Sequence, residues 1–403
     1  MDRRQFTKVA AAAGTVTALS PLNIARAQGA RLKVGVLLPR SGVQAGIGQD
    51  CHRVIDVTTG ILRDIGLPAL DIMNADTESN VDVARSRAER LISEGAQLLV
   101  GAFDSGQSTA IAQVAEQRGI PFVINIAAAP PITEQGYKFV FRNFPTAPMI
   151  LGDAFANQLE VFQATGVSPK SAVFMHVNDT FGQAMQKGFT GVMSKFTMPY
   201  KVLQTIAYDP AARDLSVEVA KARASGAEAL IMVSRLNDAI LITRELIKQR
   251  WTPAAILSMG PGWYEDQYRK TLAKLGDGPM SFVPWYDPNK KLSKQLEAAH
   301  TKAFPDIDLN TNHIYTFEAL LVAADAFKRA GSANPKALAD AIRTTNIRDN
   351  VSTGPGIQFD AKGQNDKLRN SVVQNRGGKL LTVAPKGAAN AKPELPMTAY
   401  DKR

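Results

Sequence analysis

From Leu32 to Ser258 short apolar runs alternate with stretches whose apolar residues recur every three or four positions, and the pattern runs through twice. Leu32 to Leu38, closed off by Pro39, Ser41 and Gly42, reads as a buried strand. The next stretch places Ile47, Cys51, Val54, Ile55, Ile61, Leu62 and Ile65 on one helical face. Strands are expected at 69–73, 97–100 and 121–126, and helices at 81–94 and 109–118. The pattern restarts near residue 148, with strands at 171–176, 202–207, 228–233 and 255–258 and helices at 181–195, 215–224 and 238–249. Strands separated by helices build parallel sheets with helices on both faces, so the fold class is α/β with two similar, Rossmann-like lobes. After Pro279 the order changes to an apolar run, three helices (292–304, 313–330 and 335–344) and short strands near Ile357 and Leu380. The end, from Pro385, is rich in Lys, Ala and Pro and reads as frayed.

The first residues are of another kind. Arg3, Arg4 and Lys8 precede a short apolar stretch, Val9 to Leu19, and Ala25-Arg26-Ala27 then offers a small-residue cleavage site. This is the layout of a secretory signal peptide over residues 1–27, and the paired arginines followed by Phe6 resemble a twin-arginine signal. Asp2 departs from that pattern, and an ordinary secretory signal stays open as the alternative. The mature chain is expected in the periplasm. No stretch reaches the ~20 apolar residues that span a bilayer.

What remains is too long for one compact core and implies two domains. Cys51 is the only cysteine, so no internal disulfide forms, and its helical apolar spacing makes it a buried thiol. The net charge of +10 is dispersed, without the basic stripe of a nucleic-acid protein. The four histidines, His52, His176, His300 and His313, share no metal-ligand spacing. Gly46-Ile47-Gly48 lacks the third glycine of a dinucleotide turn, since Cys51 takes its place. Neither a Gly-x-Ser-x-Gly elbow nor a His-Glu-x-x-His pair occurs. The chain is therefore read as a non-enzyme without cofactor or metal.

The run Leu32-Lys33-Val34-Gly35-Val36-Leu37-Leu38-Pro39 is followed by Ser41-Gly42, Gly48, Asp76, Arg90 and Val100-Gly101 with Ser105. Gly119-Ile120-Pro121, Thr133, Phe141-Arg142, Phe181-Gly182, Asp214-Leu215 and Phe359-Asp360 come later in the same order. Together these resemble the type I periplasmic binding proteins of the leucine/isoleucine/valine-binding group, over nearly all of the mature chain. The resemblance implies two lobes joined by a three-crossing hinge: 28–147 with 284–353, and 148–283 with 354–403, the last crossing near Gly354. It further implies a small-molecule ligand between the lobes, hinge closure, ABC permease subunits in the membrane as partners, no nucleic acid and a monomer.

The resemblance also places the site. The residue matching Ser105 helps hold a ligand carboxylate at the start of a helix, where unpaired N–H groups favour an anion. Asp104 beside it either caps that helix or repels the ligand. Ala127 and Ala128 follow the next strand, and Ala128 stands where the family often has a threonine. Met259 stands where the amino-acid binders carry an acid for the ligand's ammonium. Arg235, at a strand's C-terminal end, is read as a grip for a carboxylate or as a surface residue paired with Asp238. Phe181 matches a position stacked over the ligand. Ile47, Trp285 and His313 complete the candidate set, and Trp263 is either pocket wall or surface.

The expected function is a solute-binding protein of an ABC importer that holds a small carboxylate-bearing ligand, an aromatic or aliphatic acid or an amino-acid-like one. A periplasmic sensor for a membrane signalling partner and a true branched-chain amino acid binder remain as alternatives.

Overall fold

The computed structural model describes residues 31–403; the signal peptide expected over 1–27 lies outside them. Two sheets organise these residues. The first runs β2(Leu70–Asp76)-β1(Leu32–Leu38)-β3(Leu98–Gly101)-β4(Phe122–Ile124)-β5(Val140–Arg142), every neighbouring pair parallel. Its connections are the helices α1(Ala45–Asp64), α2(Val81–Ser93) and α3(Ser105–Arg118). The second sheet holds β6(Ser171–Val177), β7(Lys201–Tyr208), β8(Ala229–Val233), β9(Ala255–Ser258) and β10(Met280–Pro284), all parallel, in the order β10-β9-β8-β6-β7. The helices of this half are α4(Ala147–Thr165), α5(Thr180–Met193), α6(Ser216–Ala224), α7(Leu236–Lys248) and the short α8(Asp266–Leu272).

The two halves repeat one local solution. A Cβ on Gly48 of α1 would lie 1.6 Å from the carbonyl oxygen of Pro39, just past β1, and a Cβ on Gly182 of α5 would lie 1.6 Å from that of Val177, at the end of β6. In each lobe the first helix thus starts hard against the end of its first strand, a contact that only glycine allows. This is the physical content of two of the sequence markers.

Three helices then return to the first sheet: α9(Lys291–Ala303), α10(Thr311–Ala330) and α11(Pro335–Arg343). The α10 helix is buried almost all round and packs along α1 and beneath β3 and β4. Its Ile314, Phe317, Leu320 and Leu321 are at most 2% exposed, each worth about 1.5–3 kcal/mol of burial.

The hinge is tied together at one carboxylate. Glu318 of α10 accepts from Asn143 Nδ2 in the first crossing, and from the Val351 and Ser352 N–H groups, Asn350 Nδ2 and Ser352 Oγ in the segment before the third. Thr353 N–H reaches Trp285 O of the second crossing at 2.8 Å.

Several expectations are corrected. The sheets are not wholly parallel, because β13(Asn370–Arg376) adds to β10 antiparallel and β14(Lys379–Ala384) pairs antiparallel with β13. The chain does not leave the first lobe near Gly354. β12(Ile357–Gln358) pairs with β11(Asn346–Ile347), and Gln364 bridges to Arg142 at the edge of β5, so the last passage falls between Gln364 and Asn370. The tail is docked rather than frayed. Met397 N–H donates to Ala254 O at 2.9 Å, Tyr400 is buried, and the Arg403 guanidinium lies 4.3 Å over the Tyr400 ring while donating to the Leu275 and Asp277 carbonyls. The segments β5 and α4 carry no distinct sequence expectation and emerge only here. Among the described residues no helix is long and apolar enough to cross a membrane.

Candidate functional site

The carboxyl ends of the two sheets' parallel strands face each other, and a cavity lies between them. Such strand ends are where open α/β sheets bind ligands. The first lobe supplies Phe103 and Ser105 beyond β3 and Ile126, Ala127 and Ala128 beyond β4. The second supplies Phe181 at the start of α5, Arg235 beyond β8 and Met259, Gly260, Pro261 and Tyr264 beyond β9. Phe144 and Ile150 come from the first crossing and α4, Val283 and Pro284 from the second crossing, and Thr311 from the start of α10.

One wall is a helix N-terminus. Asp104 caps α3, its Oδ1 accepting from Gly106 N–H at 2.8 Å and Gln107 N–H at 3.1 Å. That frees Ser105 to face the cavity. Its Oγ accepts from Ala128 N–H at 3.2 Å and Ala129 N–H at 3.3 Å, which leaves its own hydrogen to donate. Phe103 is turned inward by a backbone φ of +71°, its N–H held by Asn125 Oδ1.

Arg235 departs from the surface reading. It is 9% exposed, so it is no surface residue, and Asp238 accepts from its backbone N–H and from Tyr208 Oη, not from its guanidinium. The guanidinium spans the cleft: Nη2 donates to Asp104 Oδ2 of the first lobe at 2.8 Å, Nη1 to Asp179 of its own lobe, and the group sits 5.3 Å over the Phe181 ring. Burial opposes its charge, but Asp179 and Asp104 more than offset this and raise its pKa above the ordinary value. Two carboxylates thus occupy Nη1 and Nη2, while the buried Nε has no partner among the described residues. The same pair disposes of the repulsion expected from Asp104, whose charge is matched.

Six of the ten candidate residues thus surround one cavity: Ser105, Ala127, Ala128, Phe181, Arg235 and Met259. Four do not line it. Ile47 is core packing on the inner face of α1. Asp104 lies behind Ser105 as cap and ion-pair partner. Trp285 packs against Tyr264 and Tyr286 at the second crossing, ring centres 5.4 and 5.7 Å away. His313 is fully buried among polar groups of α10 and α1, with Asn310 on its Nδ1 and Asp50 3.8 Å from its Nε2. Trp263 is neither wall nor surface: it is fully buried and donates to Ser234 Oγ at 2.6 Å. The sequence reading missed Phe103, Ile126 and Tyr264. The strand-end rule offered a signal for them, since each follows β3, β4 or β9.

The lining is chemically lopsided. Its polar side chains are Ser105, Arg235, Tyr264 and Thr311, and the Thr311 hydroxyl is spent on Pro284 O at 2.7 Å. Four rings, of Phe103, Phe144, Phe181 and Tyr264, and the side chains of Ile126, Ile150, Met259 and Val283 make the rest largely apolar. Among the described residues no acidic side chain lines it.

The sequence profile of the periplasmic binding proteins matches residues 31–373. The chain belongs to the periplasmic binding protein family. Its members and structural neighbours bind substrates rather than convert them. Within this family it resembles the leucine/isoleucine/valine group: it is 23% identical to a Leu/Ile/Val-binding protein homolog 7 of Brucella suis, over 91% of this chain and 94% of that protein. The fold matches that of a leucine-binding protein LivK from Thermotoga maritima, with TM-score 0.74 and 22% identity over 88% of this chain and 98% of that one. It also matches a solute-binding protein of an ABC transporter from R. palustris in complex with benzoate, with TM-score 0.73 and 20% identity over 90% of this chain and all of that one (100%). This periplasmic binding protein thus has the type I fold, two α/β lobes joined by three crossings.

Proposed function

We propose that this periplasmic binding protein captures a small carboxylate with an apolar, largely aromatic body and hands it to the permease subunits of an ABC importer. The observation that carries the reading is the lopsided cavity. Ser105 and the start of α3 form one pole suited to an anion, worth about 0.3–1 kcal/mol from the helix dipole and up to ~2 kcal/mol when partly buried. The opposite walls hold no free acid for an ammonium, and burying an unpaired charge costs several kcal/mol. Met259 and Ala128 stand where an amino-acid site would place an acid and a hydroxyl. The benzoate held by the R. palustris neighbour supports the same reading. The ligand residues are Ser105, Ala127, Ala128, Phe181 and Met259, joined by Phe103 and Tyr264, with Arg235 closing the cleft above them. The protein acts as a monomer in the periplasm, released there by removal of its leader, and no cofactor takes part.

A thermal-shift screen of the mature chain tests this. Benzoate, phenylacetate and branched aliphatic acids are compared with leucine, isoleucine and valine, and at least one simple acid is expected to raise the melting temperature more than any amino acid. Leucine outperforming every acid returns the chain to the branched-chain amino acid reading, which the name of the Brucella relative favours. A sensor would bind in the same way. Transporter genes beside this one favour import, and a kinase gene favours sensing.

A further inference from the structure

Behind the cavity wall two acids from opposite lobes meet the same pair of amides. Asp50 is on α1, and Glu265 directly precedes α8. Asn310 Nδ2 donates to Asp50 Oδ2 at 2.9 Å and lies 3.4 Å from Glu265 Oε2. Asn312 Nδ2 donates to Glu265 Oε1 at 2.9 Å and lies 3.4 Å from Asp50 Oδ2. Asp50 is 5% exposed and Glu265 2%. Two carboxylates this close and this dry cannot both stay ionised.

The surrounding charges decide which one gives way. Asp50 has Arg53, on its own helix, as an ion-pair partner. Among the described residues no cation pairs with Glu265: Arg269 of α8 is spent on Asp266 and Asp308, and Asp266 adds a repelling charge. His313 of α10 is no proton donor to the pair: its Nδ1 is taken by Asn310, and burial lowers its pKa to about 3. His300 of α9 stands edge-on to His313 with ring centres 4.5 Å apart, and burial likewise lowers its pKa. Tyr264 and Cys51 stay neutral, their pKa values pushed up by burial. Burial and the neighbouring Asp50 charge push the Glu265 carboxyl well above its usual range, whereas Asp50, despite its burial, is held below.

We propose that Asp50 and Glu265 share one proton across the closed cleft, so that capture of the ligand takes up a proton and tightens as the surroundings become more acidic. This rests on the hinge-closing function proposed above. Opening the cleft returns Glu265 to water, where it ionises at an ordinary carboxyl value. Tyr264, next to Glu265, and Thr311, between Asn310 and Asn312, line the ligand cavity, so the proton belongs to the same site.

Calorimetry with benzoate as probe, in two buffers of different ionisation enthalpy, reads the proton directly. Above the range in which benzoate itself takes up a proton, the wild-type Kd should rise by up to about tenfold per pH unit, with proton uptake on binding. Glu265→Gln, which keeps a neutral group beside Asp50, should bind with a flat pH profile and no uptake. Asp50→Asn, which removes the repelling charge but leaves Glu265 buried, should make the profile shallower without abolishing it. A pH-independent wild-type Kd overturns the proposal, as does uptake that survives in Glu265→Gln or disappears only in His313→Gln. Benzoate failing to bind counts against the ligand class alone, and the proton is then read with whichever acid or amino acid raises the melting temperature most in the thermal-shift screen, under the same expectations for wild type and Glu265→Gln.

Discussion

Asp104 and Arg235 belong to different lobes, stand 131 residues apart in sequence and meet at 2.8 Å over the mouth of the cavity. Gln44 Nε2, of the same lobe as Asp104, also donates to its Oδ2 at 3.1 Å, and Asn237 Nδ2 of the second lobe donates to Val43 O of the first at 3.3 Å, so two polar contacts, Arg235–Asp104 and Asn237–Val43, cross the cleft at the rim. Removing the guanidinium with Arg235→Gln strands the nearly buried Asp104 and the partly exposed Asp179. Breaking a buried pair costs about 3–5 kcal/mol, so benzoate affinity is expected to fall at least tenfold, mostly through faster release. Stopped-flow dissociation compared with wild type checks this.

Asp104→Asn is milder. Asparagine caps a helix as well as aspartate does, and Arg235 keeps Asp179. An affinity loss of a few-fold with little change in melting temperature is expected, and the two measurements together separate the latch from the cap.

Ser105→Ala removes the hydroxyl from the anion pole and leaves the Ala128 and Ala129 N–H groups without their acceptor. The loss is about 1–2 kcal/mol, roughly tenfold in Kd for benzoate, with the fold intact because Asp104 still caps α3. Titration calorimetry reads it.

Met259→Glu places a charge where the site now has a thioether that is 1% exposed. Without a counter-ion the variant should lose benzoate binding and about 2 kcal/mol or more of stability. Leucine should recover part of that stability by supplying an ammonium. A thermal-shift comparison of the two ligands decides it, and equal responses would count against the charge argument.

Glu318→Ala should be the most damaging of these changes. It leaves Asn143 Nδ2 and the Val351 and Ser352 N–H groups unpaired in a buried hinge, at about 1–3 kcal/mol for each stranded group. Denaturant unfolding is expected to show a large fall in midpoint, with ligand affinity changing less than stability.

Much of the architecture was legible in the chain. The expected strands 32–38 and 255–258 coincide with β1 and β9, because a short apolar run closed by turn residues has few other ways to fold. Gly48 and Gly182 marked the two lobes because each sits where a side chain would strike the preceding strand. Six cavity residues were legible because strand ends converge in this fold whatever the side chains.

Sequence alone determined those features whose causes lie within one element and its neighbours: the α/β alternation, its repetition, the glycine contacts and the absence of an acid at Met259. Tertiary structure alone decided the rest. Arg235 bridges to Asp104 because the two lobes bring residues 131 positions apart face to face. His313 fell out of the site because α10 buries it against α1. Residues 357–365 stayed with the first lobe, and the tail docked on the second, because their partners are remote strands and carbonyls. Asp50 and Glu265 became a pair only because the hinge sets two lobes face to face, and no local period in a sequence encodes which charges a closing cleft will force together.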